Sequence, residues 1–401
     1  VKSVWRPCAT LVVILIWTTL FLSGCYDLRE VNDMNIVTGI GLDEAENGMV
    51  RVTLQLVNPN NVPSAAGGQG SGRAFLTRTV EARSVEQAVN KFSEVVPHFL
   101  YLSHNTLVVF GDAYAKHGLS RAFDYFERSR FFRRNQLFVV AQGEARDVLA
   151  ASTTPEPLNS FGVRFLVEQT ARRARLLDSE QLSVLKAYLS VSKSPVMALI
   201  DVRDGRLRVA GAALFREGTM VGTLTPNEME ALSLLRSGRG EISVSIPCPT
   251  SAADTNTSLQ IDSWRRNMRS SFVGQRLHLE IQLTVSGEIE RLCPGGQLNK
   301  QVLRSVQREG EAIIQRRLRT VIEKLQSDGS DAGGFGQWMF QNHPGWWREH
   351  GADWSDIFQH ADVSCAVQLQ IRRAGLSSNA PEVMVNEVDK APKAGRGEDI
   401  P

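Results

Sequence analysis

The chain is poor in long hydrophobic runs. Its most apolar stretch, residues 9–21, is uncharged but falls short of the about 20 apolar residues that a membrane-spanning helix needs. Cysteine is scarce too, at five in 401 residues. No C-x-x-C pair or Cys/His ligand spacing occurs, so a zinc site is not expected. Neither sign of charge dominates: 45 Lys and Arg face 43 Asp and Glu, a formal net charge of +2. That balance argues against nucleic acid as a partner. The pairs Arg133-Arg134, Arg172-Arg173 and Arg316-Arg317 read as solvated faces or local ion pairs. Catalytic signatures are missing as well. There is no G-x-S-x-G elbow, P-loop, G-x-G-x-x-G or H-E-x-x-H. No catalytic residue, cofactor or metal is expected. Ser183-Val184-Leu185-Lys186 and Ser190-Val191-Ser192-Lys193 do fit S-x-x-K, and Ser327-Asp328-Gly329 imitates a second element of a Ser/Lys enzyme. The K-T-G strand such enzymes carry is lacking, so these matches read as coincidence. His98 with His104, and His343 with His350, have unusual spacings for metal ligands and read as ordinary histidines.

What is present begins at the N-terminus. Lys2 and Arg6 precede the short apolar run and small residues follow it, the pattern of a secretory signal peptide over residues 1–24. Leu22-Ser23-Gly24-Cys25 resembles the lipobox of bacterial lipoproteins. A Cys25 thiolate is the nucleophile that takes up a diacylglyceryl group. Small residues at Ser23 and Gly24 open the preceding bond to a peptidase. Cys25 is therefore the expected lipidation site, against a signal anchor in which it is incidental. Two acyl chains give stable anchoring at ~0.8 kcal/mol per buried methylene, whereas one is marginal. Cys8 leaves with the leader. Cys248, Cys293 and Cys365 are expected to be three buried free thiols. One disulfide is the alternative in an exported chain, and the sequence does not choose its pair.

Beyond a polar lead-out at 26–35, residues 36–42 and 50–56 read as strands around an Asn47-Gly48 turn. Residues 58–74 form a Pro/Gly/Ser loop expected to be mobile. Strands are expected at 75–82, 107–110 and 136–141. Ser84 with Gln87 forms a capping box opening a helix. Helical structure is expected from Asp112 with a break at Gly118, over 143–150, and over most of 161–191 with Phe165, Leu166, Leu182, Leu185 and Leu189 as its apolar residues. A second unit starts near Pro195. It holds strands at 196–202, 206–215 and 220–224, and a helix opened by Thr225-Pro226-Asn227-Glu228. Alternating strands follow at 242–246 and 277–285. The longest helix covers 299–326 with Gly310 as a weak point. A closing strand runs over 363–371. Residues 376–401 are expected to be a disordered tail.

Four of the seven tryptophans, Trp338, Trp346, Trp347 and Trp354, stand close together. A small satellite core is the default explanation. A protein interface is the second, since Trp is favoured at hot spots. Stacking on sugar rings is the third.

Several motifs together resemble the C-subunit lipoproteins of spore nutrient-germinant receptors, the Ger(x)C family. They are SGCYDLREVNDMNIVTGIGLDE, the stretch LSHNTLVVFGDAYAKHGLSRAFDYFERSRFFRRNQLFVVAQGEARDVL, then GAALFREGTMVGTLTPNE and FGQWMFQNHPGWWREHGADWSDIF. The resemblance spans residues 22–375. One departure is Asp331-Ala332-Gly333-Gly334-Phe335-Gly336, where the family has bulkier apolar residues after the Asp. The resemblance implies a non-catalytic subunit acting with polytopic membrane subunits of the A and B types to trigger germination at the spore inner membrane.

The expected architecture is an α+β multidomain protein of mixed sheets with flanking helices, lipid-anchored at its N-terminus. Its parts are the 1–24 signal peptide, a 25–200 N-terminal α/β unit, which the family resemblance implies divides into two subdomains near Pro155-Glu156-Pro157, a 201–375 C-terminal α+β unit and the 376–401 tail. Expected partners are the polytopic receptor subunits and membrane lipid through Cys25. Exposed residues among Trp346, Trp347 and Trp354, and the 58–74 loop, are the candidate partner interface. The competing function is an extracytoplasmic solute-binding lipoprotein, which needs a preformed ligand cleft between domains.

Overall fold

Asn47 and Gly48 adopt φ of 58° and 70°, the left-handed conformation that an Asn-Gly turn tolerates best. They join β1 (Met34–Glu44) to β2 (Val50–Val57), the first antiparallel pair of the fold. The computed structural model describes residues 17, 34–62, 72–153, 155–174, 178–236, 238–248, 256–274, 276–293 and 299–373. Cys25, the centre of the 58–74 loop and the 376–401 tail lie outside the described residues. The loop's described ends are pinned: Asn58 N–H donates to Ala74 O at 2.8 Å, and Asn61 Nδ2 donates to Arg73 O at 3.2 Å.

β3 (Phe75–Ala82) pairs with β2 and leads into α1 (Val85–Val95). Ser84 caps this helix by accepting from Gln87 N–H, but the Gln87 side chain answers to the Arg83 N–H, not to Ser84. β4 (Phe99–Tyr101) and β5 (Leu107–Phe110) both run parallel to β1. Then follow α2 (Asp112–His117), α3 (Ser120–Arg128), β6 (Leu137–Ala141), α4 (Ala145–Ala150), α5 (Asn159–Ala174), α6 (Gln181–Tyr188) and β7 (Val196–Arg203). β8 (Arg206–Arg216) and β9 (Thr219–Leu224) complete a sheet in the order β3-β2-β1-β5-β6-β7-β8-β9. Its central strands, LVVF and LFVVA, are buried along their whole length, as parallel strands covered on both faces must be. Helices α1, α2, α3 and α6 cover one face, and α4 and α5 the other. Val163, Val167, Val184 and Leu185 do the burying in α5 and α6. Of the apolar residues of 161–191, Phe165, Leu182 and Leu189 are exposed.

The first sheet continues past residue 200. β7 straddles that position, and β8 and β9 extend the same sheet. A capping box then opens α7 (Pro226–Leu234). Thr225 Oγ1 accepts from Glu228 N–H, and Glu228 Oε2 accepts from Thr225 N–H at 2.7 Å.

The second sheet holds β10 (Gly238–Pro247), β11 (Asn256–Val273), β12 (Arg276–Arg291) and β13 (Asp362–Arg373) in that order, with β13 parallel to β12. The sequence over β11 carries no clear strand signal. A bulge between Ile261 and Ser263 shifts its alternation, and Arg265, Arg266 and Arg269 dilute its apolar signal. α8 (Lys300–Asp328) packs on the buried face, capped by Asn299 and ended by left-handed Gly329. Gly310 is no weak point. A Cβ there would meet Leu369 Cδ2 at 2.8 Å, so glycine is what lets the helix lie close to β13. One continuous apolar core runs from Val109 and Val139 of the first sheet through Val163 and Leu232 to Ile281 and Ile314 of the second unit. The thiol expectation is corrected: Cys248 and Cys293 form a disulfide, and Cys365 alone is free among the described cysteines. The bridge ties the end of β10 to the end of β12 across the start of β11.

Candidate partner-binding surface

The tryptophan cluster is built around a carboxylate. The turn after α8 carries Asp331 into the core, where it is 4 % exposed. Its Oδ2 accepts from Ser192 Oγ at 2.7 Å, Gly336 N–H at 2.6 Å and the Trp354 indole N–H at 3.0 Å. Its Oδ1 accepts from Phe335 N–H at 2.8 Å. Burial pushes this carboxyl's pKa up, and those four donors pull it back. The Arg236 and Arg266 guanidiniums stand near it and donate to the adjoining carbonyls of Ala332 and Gly333 at 2.7 and 3.0 Å. Ser194 Oγ accepts the Asp331 N–H at 3.0 Å, and Ser330 Oγ donates to Phe215 O at 2.9 Å. Asp331 thus ties the second unit to the start of β7. The small residues after it leave room for this arrangement: a Cβ on Gly336 would meet Trp354 Nε1 at 2.6 Å.

From this centre the aromatics step outward through α9 (Phe335–Asn342), α10 (Pro344–His350) and α11 (Trp354–His360). Trp354 is buried against Phe358, which stacks on Phe335. It therefore leaves the candidate interface. Trp347 is half-buried between Trp354, at 5.3 Å, and exposed Phe340, at 6.1 Å. Trp346 reaches the surface between His350, stacked at 4.8 Å, and Phe272 at 5.4 Å. Trp338 is half-buried beside His343. Phe272 and Val273 form the tip of the β11–β12 hairpin and are 43 % and 72 % exposed. Ser270 Oγ and His343 Nε2, 2.8 Å apart, hold hairpin and helix together. Phe272 and Val273 thus present an exposed apolar tip backed by half-buried Trp346, and Phe340 is exposed beside Trp347. The hairpin's share of this surface was invisible in the sequence because β11 was.

The other candidates do not assemble. Ser183 Oγ donates to Asp178 at 2.5 Å and Ser190 Oγ to Ala187 O at 2.7 Å, while Lys193 pairs with Glu217 at 3.2 Å. Neither S-x-x-K match brings its serine and lysine into a hydrogen bond. Among the described residues no group of three His, Cys, Asp or Glu side chains could hold a metal ion. Asp43 accepts from the N–H groups of Ala145 and Arg146 at 2.6 and 3.1 Å. Its carboxylate thereby fills the crevice at the carboxyl ends of β5 and β6, where open α/β sheets commonly take ligands. A groove of about 730 Å³ opens beside it, lined by Glu44, Arg83, Glu86, Tyr114, His117 and Arg121 among others. It lies within the first unit, on the face covered by α1 and α2.

Two family models match this chain in tandem: the spore germination protein N-terminal domain over residues 27–202, and the spore germination B3/GerAC-like C-terminal domain over 210–375. The chain belongs to the GerAC family of spore germination proteins. The border between the matches falls at the β7–β8 turn, inside the first sheet. Spore germination protein KC of Bacillus subtilis is 24 % identical over 400 residues, covering 93 % of this chain and 97 % of its own. Spore germination protein B3 of the same organism is 20 % identical, covering 90 % and 97 %. The crystal structure of the GerBC protein shares the fold, with a TM-score of 0.54 at 16 % identity over 86 % of this chain and 100 % of that one.

Proposed function

We propose that this protein is a membrane-anchored lipoprotein subunit of a spore nutrient-germinant receptor, acting without catalysis alongside polytopic subunits of the A and B types. The observation that carries the reading is the tandem match over almost the whole chain. Lipidation at Cys25 holds the folded part at the outer face of the cytoplasmic membrane, in the spore the inner membrane. From Cys25 to the start of β1 at Met34 the link reaches at most ~3.5 Å per residue. The domains therefore work close to the bilayer, where the polytopic partners are. A subunit with no chemistry of its own contributes through contacts that differ between receptor states. The patch of Trp346, Phe272, Val273 and Phe340, with Trp347 at its rim, is the surface assigned to those partners. Phe272, Val273 and Phe340 supply its exposed apolar surface, and half-buried Trp346 and Trp347 back it.

The test replaces Trp346 by Ala and Phe272 by Ser in the full chain. Co-purification with the membrane subunits and nutrient-triggered germination both fall. Germination by routes that bypass nutrient receptors is unchanged, and the variant remains folded at the assay temperature. Full receptor assembly by a stable double variant removes this patch from the interface. Cys25→Ala separately abolishes acyl labelling, and normal labelling in that variant overturns the anchor.

A second reading, a solute-binding lipoprotein, draws on the mixed-charge groove lined by Glu44, Arg83, Glu86 and Arg121. Calorimetry of the protein with amino acids and sugars tests it; saturable heat that disappears in Arg83→Ala supports it.

A further inference from the structure

α8 spans 29 residues and packs its apolar side on the second sheet. It runs antiparallel to β13. Gln307 Nε2 donates to Leu369 O at 3.3 Å, and further along the helix Gln315 Nε2 donates to Cys365 O at 2.7 Å. The C-terminal end of α8 therefore lies toward the β11–β12 hairpin tip, beside which β13 begins.

The outer side of α8 is basic. Arg304, Arg308, Arg316 and Arg319 are exposed, and their spacing keeps all four on one side of the helix. At 1.5 Å of rise per residue they cover about 22 Å of its length. None of the four has an acidic partner among the described residues. The flank facing α7 is different: there Arg317 meets Glu230 at 3.7 Å and Lys324 meets Glu228 at 3.1 Å. Of the acidic residues of α8, Glu311 accepts from Leu369 N–H at 2.8 Å. Glu309 and Glu323 are exposed.

This arrangement works against the helix that carries it. Arg304 and Arg308 are like charges one turn apart, and so are Arg316 and Arg319, which is destabilising. The first turn carries Lys300 and no acidic residue, against the positive end of the helix dipole. A face that served only solubility would be better built from paired opposite charges.

We infer that the stripe from Arg304 to Arg319 docks an acidic stretch of a protein partner, with carboxylates spaced about one helical turn apart. Arginine suits that chemistry, since its planar guanidinium takes a carboxylate through two parallel hydrogen bonds. Anionic lipid is the poorer match. Ser305, Ala312 and Thr320 are the small outward residues between the arginines. No large apolar side chain of α8 is exposed among the described residues, so the face has nothing to bury in a bilayer interface. Glu309 and Glu323 would also be turned toward headgroup phosphates. The inference rests on the reading that this chain acts through contacts with other proteins. It adds a second, electrostatic contact to the apolar one at the hairpin tip.

The test places the full lipidated chain on phosphatidylcholine vesicles. The probe is a labelled alanine-based peptide with a glutamate at every fourth position, and co-sedimentation measures its binding. The peptide binds saturably, and less tightly as salt is raised. The quadruple variant Arg304→Gln, Arg308→Gln, Arg316→Gln, Arg319→Gln binds it about tenfold more weakly, as four exposed ion pairs of modest strength predict. Equal binding by the variant, or by a peptide with glutamine in place of glutamate, overturns the stripe. Binding that disappears when the vesicles contain phosphatidylglycerol shows the stripe turned to lipid and overturns a protein partner. The variant's urea midpoint is equal or higher, because like-charge pairs are removed. A lower midpoint makes these arginines structural and overturns the open surface.

Co-purification with the membrane subunits separates this inference from the receptor reading. Less recovery with the quadruple variant than with the wild-type chain supports both. Equal recovery removes the stripe from that contact and leaves the receptor reading standing. No recovery even with the wild-type chain overturns the receptor reading, and the peptide result then decides the stripe alone.

Discussion

Trp346 and Trp354 belong to one short helical segment, and in sequence they look alike. In the fold they live in different environments. Trp354 is closed in by Phe358 and Gly336 and spends its indole N–H on Asp331. Trp346 lies against the hairpin tip, sandwiched by Phe272 and His350. Trp347 joins them, one face on Trp354 and the other near Phe340. A single aromatic run thus supplies both the pin that holds the second unit to the first and the surface assigned to a partner. Aromatic enrichment alone therefore says little about interfaces. What separates the roles is the buried carboxylate: the Trp354 indole N–H is fixed on Asp331 in the core, whereas half-buried Trp346 packs against side chains that themselves reach solvent.

The contrast can be broken at graded points. Trp354→Ala is the harshest, with an expected loss of about 3–5 kcal/mol, read as a lowered urea midpoint. An unchanged midpoint would mean that the inner half is not structural. Asp331→Asn comes next, at about 1–3 kcal/mol, because an amide nitrogen in place of one carboxyl oxygen faces buried donors and leaves them unsatisfied. It also changes the pH profile. Burial raises the folded-state pKa of Asp331 above its ordinary 3.8. The folded protein therefore holds this proton more tightly than the unfolded chain does. Stability from this group is greatest below 3.8 and declines as pH rises through the folded value. Asp331→Asn cannot titrate, so its unfolding free energy should be flatter across that window; a parallel profile would contradict the assignment. Trp347→Ala sits midway, at about 2 kcal/mol for a half-buried ring. Phe272→Ala should move the midpoint least, within about 0.5 kcal/mol as for most surface changes. A large loss there would place the hairpin tip in the core and remove it as a docking surface.

The comparison also shows where sequence reading works. The Asn47-Gly48 hairpin, the Thr225 and Glu228 capping box, the Gly118 break between α2 and α3, and the alternation of 242–246 and 277–285 were legible and stand in the fold. β11 was not legible, because its bulge at Ile261–Ser263 and its arginines hide a period that the neighbouring strands enforce. Gln55 and Thr53 read as the polar side of a strand, yet both are buried. Gln55 Nε2 donates to Leu149 O at 2.9 Å and its Oε1 accepts from Thr38. Helices α4 and α5 close that face, and nothing near residue 55 in sequence announces them. Of the proposed site, the aromatic richness was visible and its division was not.

By itself the sequence determined the local grammar of this protein and its family. Caps, turns and strand periods depend on a few neighbouring residues, and the motifs that carry the family likeness are contiguous. Tertiary structure decided the rest, because each remaining question turns on residues far apart in the chain. Ser192 meets Asp331, so Trp354 became a core residue. Cys248 meets Cys293, so the expected thiols became a disulfide. Ser270 meets His343, so the tip of the β11–β12 hairpin came to lie beside Trp346, and no stretch of sequence holds those residues together.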